Sequence, residues 1–474
     1  MPRLFIVSNR GCTLDDANPA AGGLAIGLKP ILEERGGVWL GWSGCVADDR
    51  SEGCEILRSN RFKNPAFNLS EQEHAGYYIG FANRVLWPVL HGRTDLIRFK
   101  AEDYASYTAV NETYADQVQA HYRPQDAIWV HDYHLLLLGR NLRARGIAAP
   151  IGFFLHTPFP SADAMSAVPC HKELIEALLA YDLIGFQSRN DLANFSDYVV
   201  RHLGGTVSRE GKVKAGGFRS QAGVFPIGID PQGSSTLSCL PEVHELSRRL
   251  EPCFRHRYSV IGADRLDYSK GLPERMRAFE WMLERHPSYH GRAFYAQVAA
   301  PSREIIQDYA NLKLELQTLA GTINGCYGEA DWTPIRFINR TFSQIQLAAL
   351  FRLARVGLVT PLRDGMNLVA KEYVAAQDAS NPGVLVLSRF AGAAEQLTSA
   401  LIVNPHDTES VADALHQAMT MSLEERRERW SMAMASIKRH DIHSWCESFL
   451  DALARTAFSL TEEQNRTITH AANA

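Results

Sequence analysis

No Asp-x-Asp triplet occurs anywhere in this chain, so the common metal-binding device of metal-dependent sugar-nucleotide transferases is missing. There is no G-x-G-x-x-G, which removes the main support for dinucleotide binding, and no G-x-x-x-x-G-K-[ST], which disfavours P-loop phosphoryl transfer. The eight cysteines (12, 45, 54, 170, 239, 253, 326, 446) include no C-x-x-C pair, so neither a zinc knuckle nor a redox dithiol is suggested and a reducing compartment fits best. Lysine and arginine (49) nearly balance aspartate and glutamate (53), and a net charge of −4 gives no reason to expect nucleic acid or an anionic membrane as partner. No apolar run is long enough to span a bilayer, and the opening MPRLFIVSNR reads as a strand rather than a basic segment before a signal-type core. The expectation is a cytoplasmic protein whose phosphate-binding cations, if it has any, are local.

At 474 residues, 46% of them hydrophobic and 22% charged, the chain is a globular protein too long for one hydrophobic core. Apolar, β-rich runs recur at Leu4–Ser8, Ala127–Val130, Ile151–Leu155, Leu183–Phe186 and Val224–Ile229, separated mostly by helical spacing. A second series follows at Tyr258–Ile261, Ala293–Val298, Ile335–Ile338, Val356–Val359, Val384–Leu387 and Leu401–Val403. The polar, proline-marked stretch near 231–257 separates them. The expected architecture is therefore α/β, with two Rossmann-like domains facing each other across a ligand cleft. Residues 1–240 form the first domain, joined by a C-terminal helix at about 440–458, residues 241–440 form the second, and 461–474 form a flexible tail. An amphipathic helical region spans Asp407–Phe458.

The stretch GLVTPLRDGMNLVAKEYVAA, residues 357–376, runs a buried strand into a glycine turn and a helix that Asn367 can cap. A strand end feeding a helix N-terminus favours a phosphate, and Glu372 one turn in can accept from two neighbouring sugar hydroxyls; the bland alternative is an ordinary strand, turn and helix with a solvated Glu. ADRLDYSKGLPER ends another strand with Arg265 and Lys270 on one short loop, a pair that suits a diphosphate, against the alternative of a surface salt-bridge loop. Arg303 occupies the equivalent exit of the next strand. In the first half, Ser8, Asn9 and Arg10 end a strand, and Gly22 and Gly23 allow close backbone approach or make a plain turn. WVHDYH places Asp132 and His134 at a strand end, and FFLHTPFP places His156 and Thr157 at the next. Tyr78 and Trp87 either stack on a sugar or fill the core.

The residues VSNR, AGGLA, GWSG, NLSEQ, YY, VLWP, HDYHLL, IGFFLH with PFP, DRLDYSKGLPER, GLVTPLRDGMNLVAKEYVAAQD and VLVLS with FAGAA occur in order over residues 2–455. In these the chain resembles glycosyltransferase family twenty, the bacterial trehalose-6-phosphate synthases. The resemblance implies the GT-B fold and retaining transfer of glucose from UDP-glucose to glucose 6-phosphate, giving α,α-trehalose 6-phosphate in trehalose biosynthesis and stress protection. It implies no cofactor and no metal, and two small-molecule substrates as partners, with a homo-oligomer allowed.

It also implies roles. Arg10 and Arg303 clamp the acceptor phosphate, and Tyr78, Trp87 and Asp132 shape the acceptor pocket. Thr157 and Trp87 restrict the acceptor anomer. Gly22 and Gly23 approach the donor, His156 contacts its sugar, Arg265 and Lys270 hold its diphosphate, and Phe342 lies by the uracil. Asp364, Gly365, Met366 and Asn367 hold the transferred glucose, Leu368 and Val369 give N–H groups to phosphate, and Glu372 takes the ribose diol, with Ala370 and Lys371 in the same donor segment. Asp132, His156, Arg265, Lys270 and Asp364 are the residues implied at the reacting centre, and no protein nucleophile is implied.

The chain departs from the family pattern at Gly11 and Cys12, at the ADR before LDYSKG, and at Glu304–Ile306, which bears on loop conformation. Other acceptors, as in glucosylglycerol-phosphate synthases or pseudoglycosyltransferases, a non-catalytic sugar-phosphate sensor, and a pyridoxal-dependent phosphorylase are the competing readings.

Overall fold

A computed structural model of the chain describes residues 3–11, 28, 31–50, 57–58 and 61–456. Gly22, Gly23 and the 461–474 segment lie outside the described residues.

Strands such as Asp126–His131, Ile151–Phe154, Leu183–Phe186, Val356–Val359 and Val384–Ser388 are buried along their whole length. Such runs need cover on both faces, which is the environment of a parallel sheet. The chain divides into two compact units, one running to Pro226 and resuming at His443, the other Ile227–Ile442.

The sheet of the first unit runs, edge to edge, Leu57–Arg58, Phe62–Asn64, Gly37–Val46, Arg3–Arg10, Asp126–His131, Ile151–Phe154, Leu183–Phe186, Phe218–Val224, Lys212–Ala215, Thr206–Val207, with Ala66–Leu69 also paired to Gly37–Val46. Pairing is parallel from Phe62–Asn64 through Phe218–Val224. Chain order reverses between Arg3–Arg10 and Asp126–His131, which puts the exits carrying Arg10 and Asp132 at the switch point.

In the second unit all six strands are parallel, in the order Ile335–Ile338, Ala293–Ala300, Tyr258–Arg265, Val356–Val359, Val384–Ser388, Leu401–Val403. Numbered within the unit this is 3-2-1-4-5-6, the dinucleotide-fold order, and its switch point lies between the strands that lead to Arg265 and to Asp364.

Some expectations shift. The run Val224–Ile229 is not a strand: the strand is Phe218–Val224, and the chain leaves the sheet at Phe225 to pass into the second unit. The 231–257 stretch that separates the two strand series forms two helices, Pro231–Ser238 and Pro241–Phe254, each with proline in the first turn, where its missing N–H costs nothing. The single helical region expected from Asp407 to Phe458 is three helices, Thr408–Thr420, Leu423–Arg439 and 442–456. The last of these packs on the first sheet, where Trp129 stacks on Phe449 at 4.5 Å and meets Trp445 at 4.8 Å.

Candidate active site

In the second unit the site is built at the ends of the two switch-point strands. Tyr258–Arg265 passes into a short turn, Tyr268–Lys270, then Gly271 at φ 66° and the helix Leu272–Arg285. Gly271 is obligatory: a Cβ there would lie 2.5 Å from the Thr360 carbonyl oxygen, in a conformation other residues avoid.

The turn is held from behind by Arg275, which is fully buried. Its guanidinium pairs with Asp264 at 2.5 Å and donates to Thr360 Oγ1 at 3.1 Å and to the Lys270 carbonyl at 2.9 Å. Lys270, so placed, puts its ammonium 2.5 Å from Asp364 Oδ2, which also accepts from Asn367 Nδ2 at 3.0 Å. Lysine and aspartate are 94 residues apart in sequence, and their side chains are only 11% and 14% exposed.

Asn367 then caps the helix Leu368–Ala375 by accepting from Ala370 N–H at 3.3 Å, with its own backbone at φ 72°. The capped third N–H leaves those of Leu368 and Val369 at the open N-terminus. Gly365 and Met366 are buried in the turn. Glu372 makes no side-chain hydrogen bond among the described residues, and burial raises its carboxyl to about 6.

Lys371 is a correction: expected among the donor contacts, its side chain is wholly buried and its ammonium donates to the Ile227 carbonyl at 2.6 Å, with burial lowering its pKa to about 7. Helical geometry explains this, since neighbouring positions point about 100° apart and Glu372 and Lys371 cannot share a face. Arg303, at φ 50°, is held by Asp267 at 3.1 Å and by the Tyr309 hydroxyl at 2.8 Å. Arg265 is exposed on its loop, and Phe342 lies under the Arg340 guanidinium at 4.8 Å.

In the first unit, Tyr77 and Tyr114 hydroxyls bind Asn9 at 2.8 and 2.6 Å and so fix the strand exit from which Arg10 projects. The Arg10 guanidinium lies 4.7 Å over the Trp42 indole. Trp42 in turn meets His74 and Tyr78 at 5.3 and 5.6 Å, and Tyr78 stacks on His134 at 5.9 Å. Tyr78 is carried by a π-helix, His74–Leu86, a rare form that is frequent at functional sites. Gly80 lets that helix sit against Asp103, whose carboxylate a Cβ would strike at 2.3 Å.

Trp87, just past the π-helix, is 5% exposed, between His91 and Tyr133. Asp132 has φ 76° and ψ 167°, a region for glycine, and accepts from the His156 backbone N–H at 3.2 Å. Of the four non-glycine residues at positive φ among the described residues, three are Asp132, Arg303 and Asn367, so backbone strain coincides with the sites expected from sequence. The Thr157 hydroxyl is buried with no hydrogen-bond partner among the described residues.

Several residues are not evident from sequence alone: Trp42 and His74 beside Arg10, His131 behind His156, and, in the second unit, Asp264 with its partner Arg275 and Asp267, which pairs with Arg303. The alternating charges of ADRLDYSKGLPER were a visible signal for the last three, because cations placed at a buried strand end need carboxylates. Among the described residues no three His, Cys, Asp or Glu side chains could hold a metal ion, and no helix is long and apolar enough to cross a membrane.

The family described as Glycosyltransferase family 20 matches residues 8–455. A trehalose-6-phosphate synthase of Cronobacter sakazakii is 46% identical over 453 residues, 96% of this chain and 95% of the relative. Among solved structures, a UDP-forming α,α-trehalose-phosphate synthase of Burkholderia xenovorans in complex with glucose-6-phosphate superposes with a TM-score of 0.92 at 44% identity, covering 95% of this chain and all of that one. A trehalose-6-phosphate structure from E. coli bound with UDP-2-fluoro glucose superposes with a TM-score of 0.90 at 44% identity, covering 95% and 98%. With nearly its whole length matched in both sequence and fold, the chain belongs to glycosyltransferase family 20.

Proposed function

We propose that this enzyme moves glucose from UDP-glucose to glucose 6-phosphate, forming α,α-trehalose 6-phosphate and UDP with retention at the anomeric carbon. The observation that carries the reading is the Lys270–Asp364–Asn367 cluster at the second sheet's switch point, next to a capped helix N-terminus and the Glu372 carboxylate, which makes no side-chain hydrogen bond among the described residues. This arrangement suits a sugar diphosphate: Asp364 and Asn367 take the sugar, Lys270, Arg265 and the Leu368 and Val369 N–H groups take the phosphates, and Glu372 takes the ribose diol. Phe342 lies by the base.

Arg10 on Trp42, with Arg303, takes the acceptor phosphate; Tyr78, Trp87 and Asp132 bound the acceptor sugar, and Thr157 and Trp87 select its anomer. The acceptor anomeric hydroxyl attacks from the face that UDP leaves, the bond from C1 to the phosphate oxygen breaks as the new C1–O bond forms, and that phosphate oxygen takes the proton. The protein contributes position and charge stabilisation. The diphosphate's charge is met by Arg265, Lys270 and the helix end, so turnover proceeds without a divalent ion, in the cytoplasm.

A UDP-release assay across several nucleotide sugars and acceptors tests this. Release is expected with UDP-glucose and glucose 6-phosphate together, unchanged by EDTA. Saturable binding with no UDP release would favour a sensor instead, and release with a different acceptor would change the product.

Glu372 gives a pH signature. Its carboxyl sits at about 6 against an ordinary 4.5, so between those values the folded chain holds a proton that the unfolded chain has lost. This contribution to stability is present below about 4.5 and is lost as pH rises through about 6. Only the carboxylate accepts from both ribose hydroxyls, so UDP affinity is expected to rise about tenfold from pH 5 to 7.5. Glu372→Gln should flatten that profile, and Glu372→Ala should weaken UDP binding. A wild-type affinity independent of pH, or unchanged donor affinity in the alanine variant, returns this helix to a structural role.

A further inference from the structure

Asp126–His131 and Ile151–Phe154 are neighbours in the first sheet, and their exits bring two imidazoles together: His131 Nδ1 lies 3.1 Å from His156 Nε2. His131 is wholly buried, its ring against Trp129 at 4.6 Å and Trp445 at 6.3 Å. Its far nitrogen, Nε2, is buried with no hydrogen-bond partner among the described residues. The other nitrogen of His156 makes no hydrogen bond among the described residues, so it is the one open to a ligand.

Burial, aided by His156, pushes His131 well below the usual histidine range, and burial pushes His156 down to about 3, so both rings are neutral near pH 7. A neutral imidazole carries one N–H. Two bare nitrogens or two N–H groups facing each other would repel, so one ring donates to the other. If His156 Nε2–H were the donor, the proton of His131 would sit on Nε2 as a buried donor with no acceptor. An orphaned N–H is rarer and costlier than a bare buried acceptor, so the donor is His131 Nδ1–H.

We infer that His131 is a positioning residue for glucosyl transfer: by donating to His156 Nε2 it confines His156 to the Nδ1–H tautomer, so that His156 presents a hydrogen-bond donor to an oxygen of the transferred sugar. The inference rests on the reading of His156 as a donor-sugar contact. Two adjacent parallel strands thus act as a tautomer lock, in which the hydrogen bond at one ring nitrogen decides what the other offers. Accepting at Nε2 also polarises the ring and strengthens the N–H on its far side. A ring free to exchange tautomers would offer the sugar a lone pair part of the time, which an ether oxygen cannot meet and a hydroxyl meets only by turning to donate. A fixed N–H instead holds the sugar in one orientation while the bond from C1 to the phosphate oxygen breaks.

Full-length protein labelled with ¹⁵N-histidine reports each tautomer from its ring-nitrogen shifts, with His156→Ala providing the assignment. His156 is expected as Nδ1–H in the wild type. In His131→Phe the two tautomers should mix, and kcat for UDP release should fall about tenfold with little change in KM for glucose 6-phosphate. His131→Asn, whose amide N–H stands where Nδ1–H stood, should restore both tautomer and rate.

An Nε2–H His156 in the wild type overturns the inference, and that measurement needs no variant of His131 to fold. Equal losses in the Phe and Asn variants also overturn it, leaving His131 a packing residue. If His156→Ala turns over like the wild type, the placement of His156 beside the sugar fails and the catalytic role of His131 fails with it, while the measured tautomer stands.

Discussion

Lys270→Ala is expected to lower kcat for UDP release about 10²–10³-fold, the usual cost of removing one charge-stabilising donor aimed at a leaving group. The effect should fall on kcat and on kcat/KM for the donor together, because the ammonium gains most when charge develops on the departing diphosphate. The side chain is 11% exposed and already placed 2.5 Å from Asp364 Oδ2, so little entropy is lost in bringing it to the phosphates. Its loss leaves Asp364 with Asn367 as its remaining partner in that cluster, which preserves the local turn and keeps the comparison clean. Stopped-assay kinetics with both substrates varied provide the check. An effect confined to KM for glucose 6-phosphate would remove Lys270 from the donor side and sink the assignment.

Arg275→Met should destabilise the protein by about 3–5 kcal/mol, the cost of leaving one member of a buried ion pair without the other. Arg275 and Asp264 are 0% and 2% exposed, and no other cation is close enough to take over the carboxylate as a partner at hydrogen-bond distance among the described contacts. The same substitution releases the Lys270 carbonyl and the Thr360 hydroxyl, so the loop that carries Lys270 loosens along with the fold. A fall in Tm of about 10 °C is expected for a unit of this size. Asp264→Leu in the Arg275→Met background should recover a large part of the loss, since a pair of apolar residues needs no counter-charge. A single variant with wild-type Tm, or a double variant no better than the single, would show that the pair carries no buried-charge cost.

Much of the fold was legible from local pattern. Ile335–Ile338, Val356–Val359 and Leu401–Val403 were bounded correctly because short apolar runs between turn residues have few other fates in an α/β chain. Asn367 was readable as a cap because its side chain competes with its own backbone for the first-turn N–H groups. Val224–Ile229 has the composition of a strand, but at the unit crossing it has no neighbour to pair with beyond Phe225. The 231–257 stretch shows only polarity and prolines in sequence, and its two helices place those at 231 and 241 in their first turns. Lys371 shares a motif with the residues expected at the donor, but sequence adjacency on a helix is not adjacency on a face.

By itself the sequence determined the α/β alternation, the two series of strands and the chemistry available at each strand exit, because burial periodicity, caps and turns are local and each is set by residues a few positions apart. It also carried the family motifs over nearly the whole chain. Tertiary structure alone decided which of those groups meet. Lys270 reaches Asp364 across 94 residues because the 3-2-1-4-5-6 order sets the first and fourth strands of the second unit side by side. His131 reaches His156 because their strands are neighbours in the first sheet, and Lys371 turns inward because its helix has one buried face. Strand order is a global choice among packings of the same local elements, so the pairings that tune a site are fixed only when the sheets are assembled.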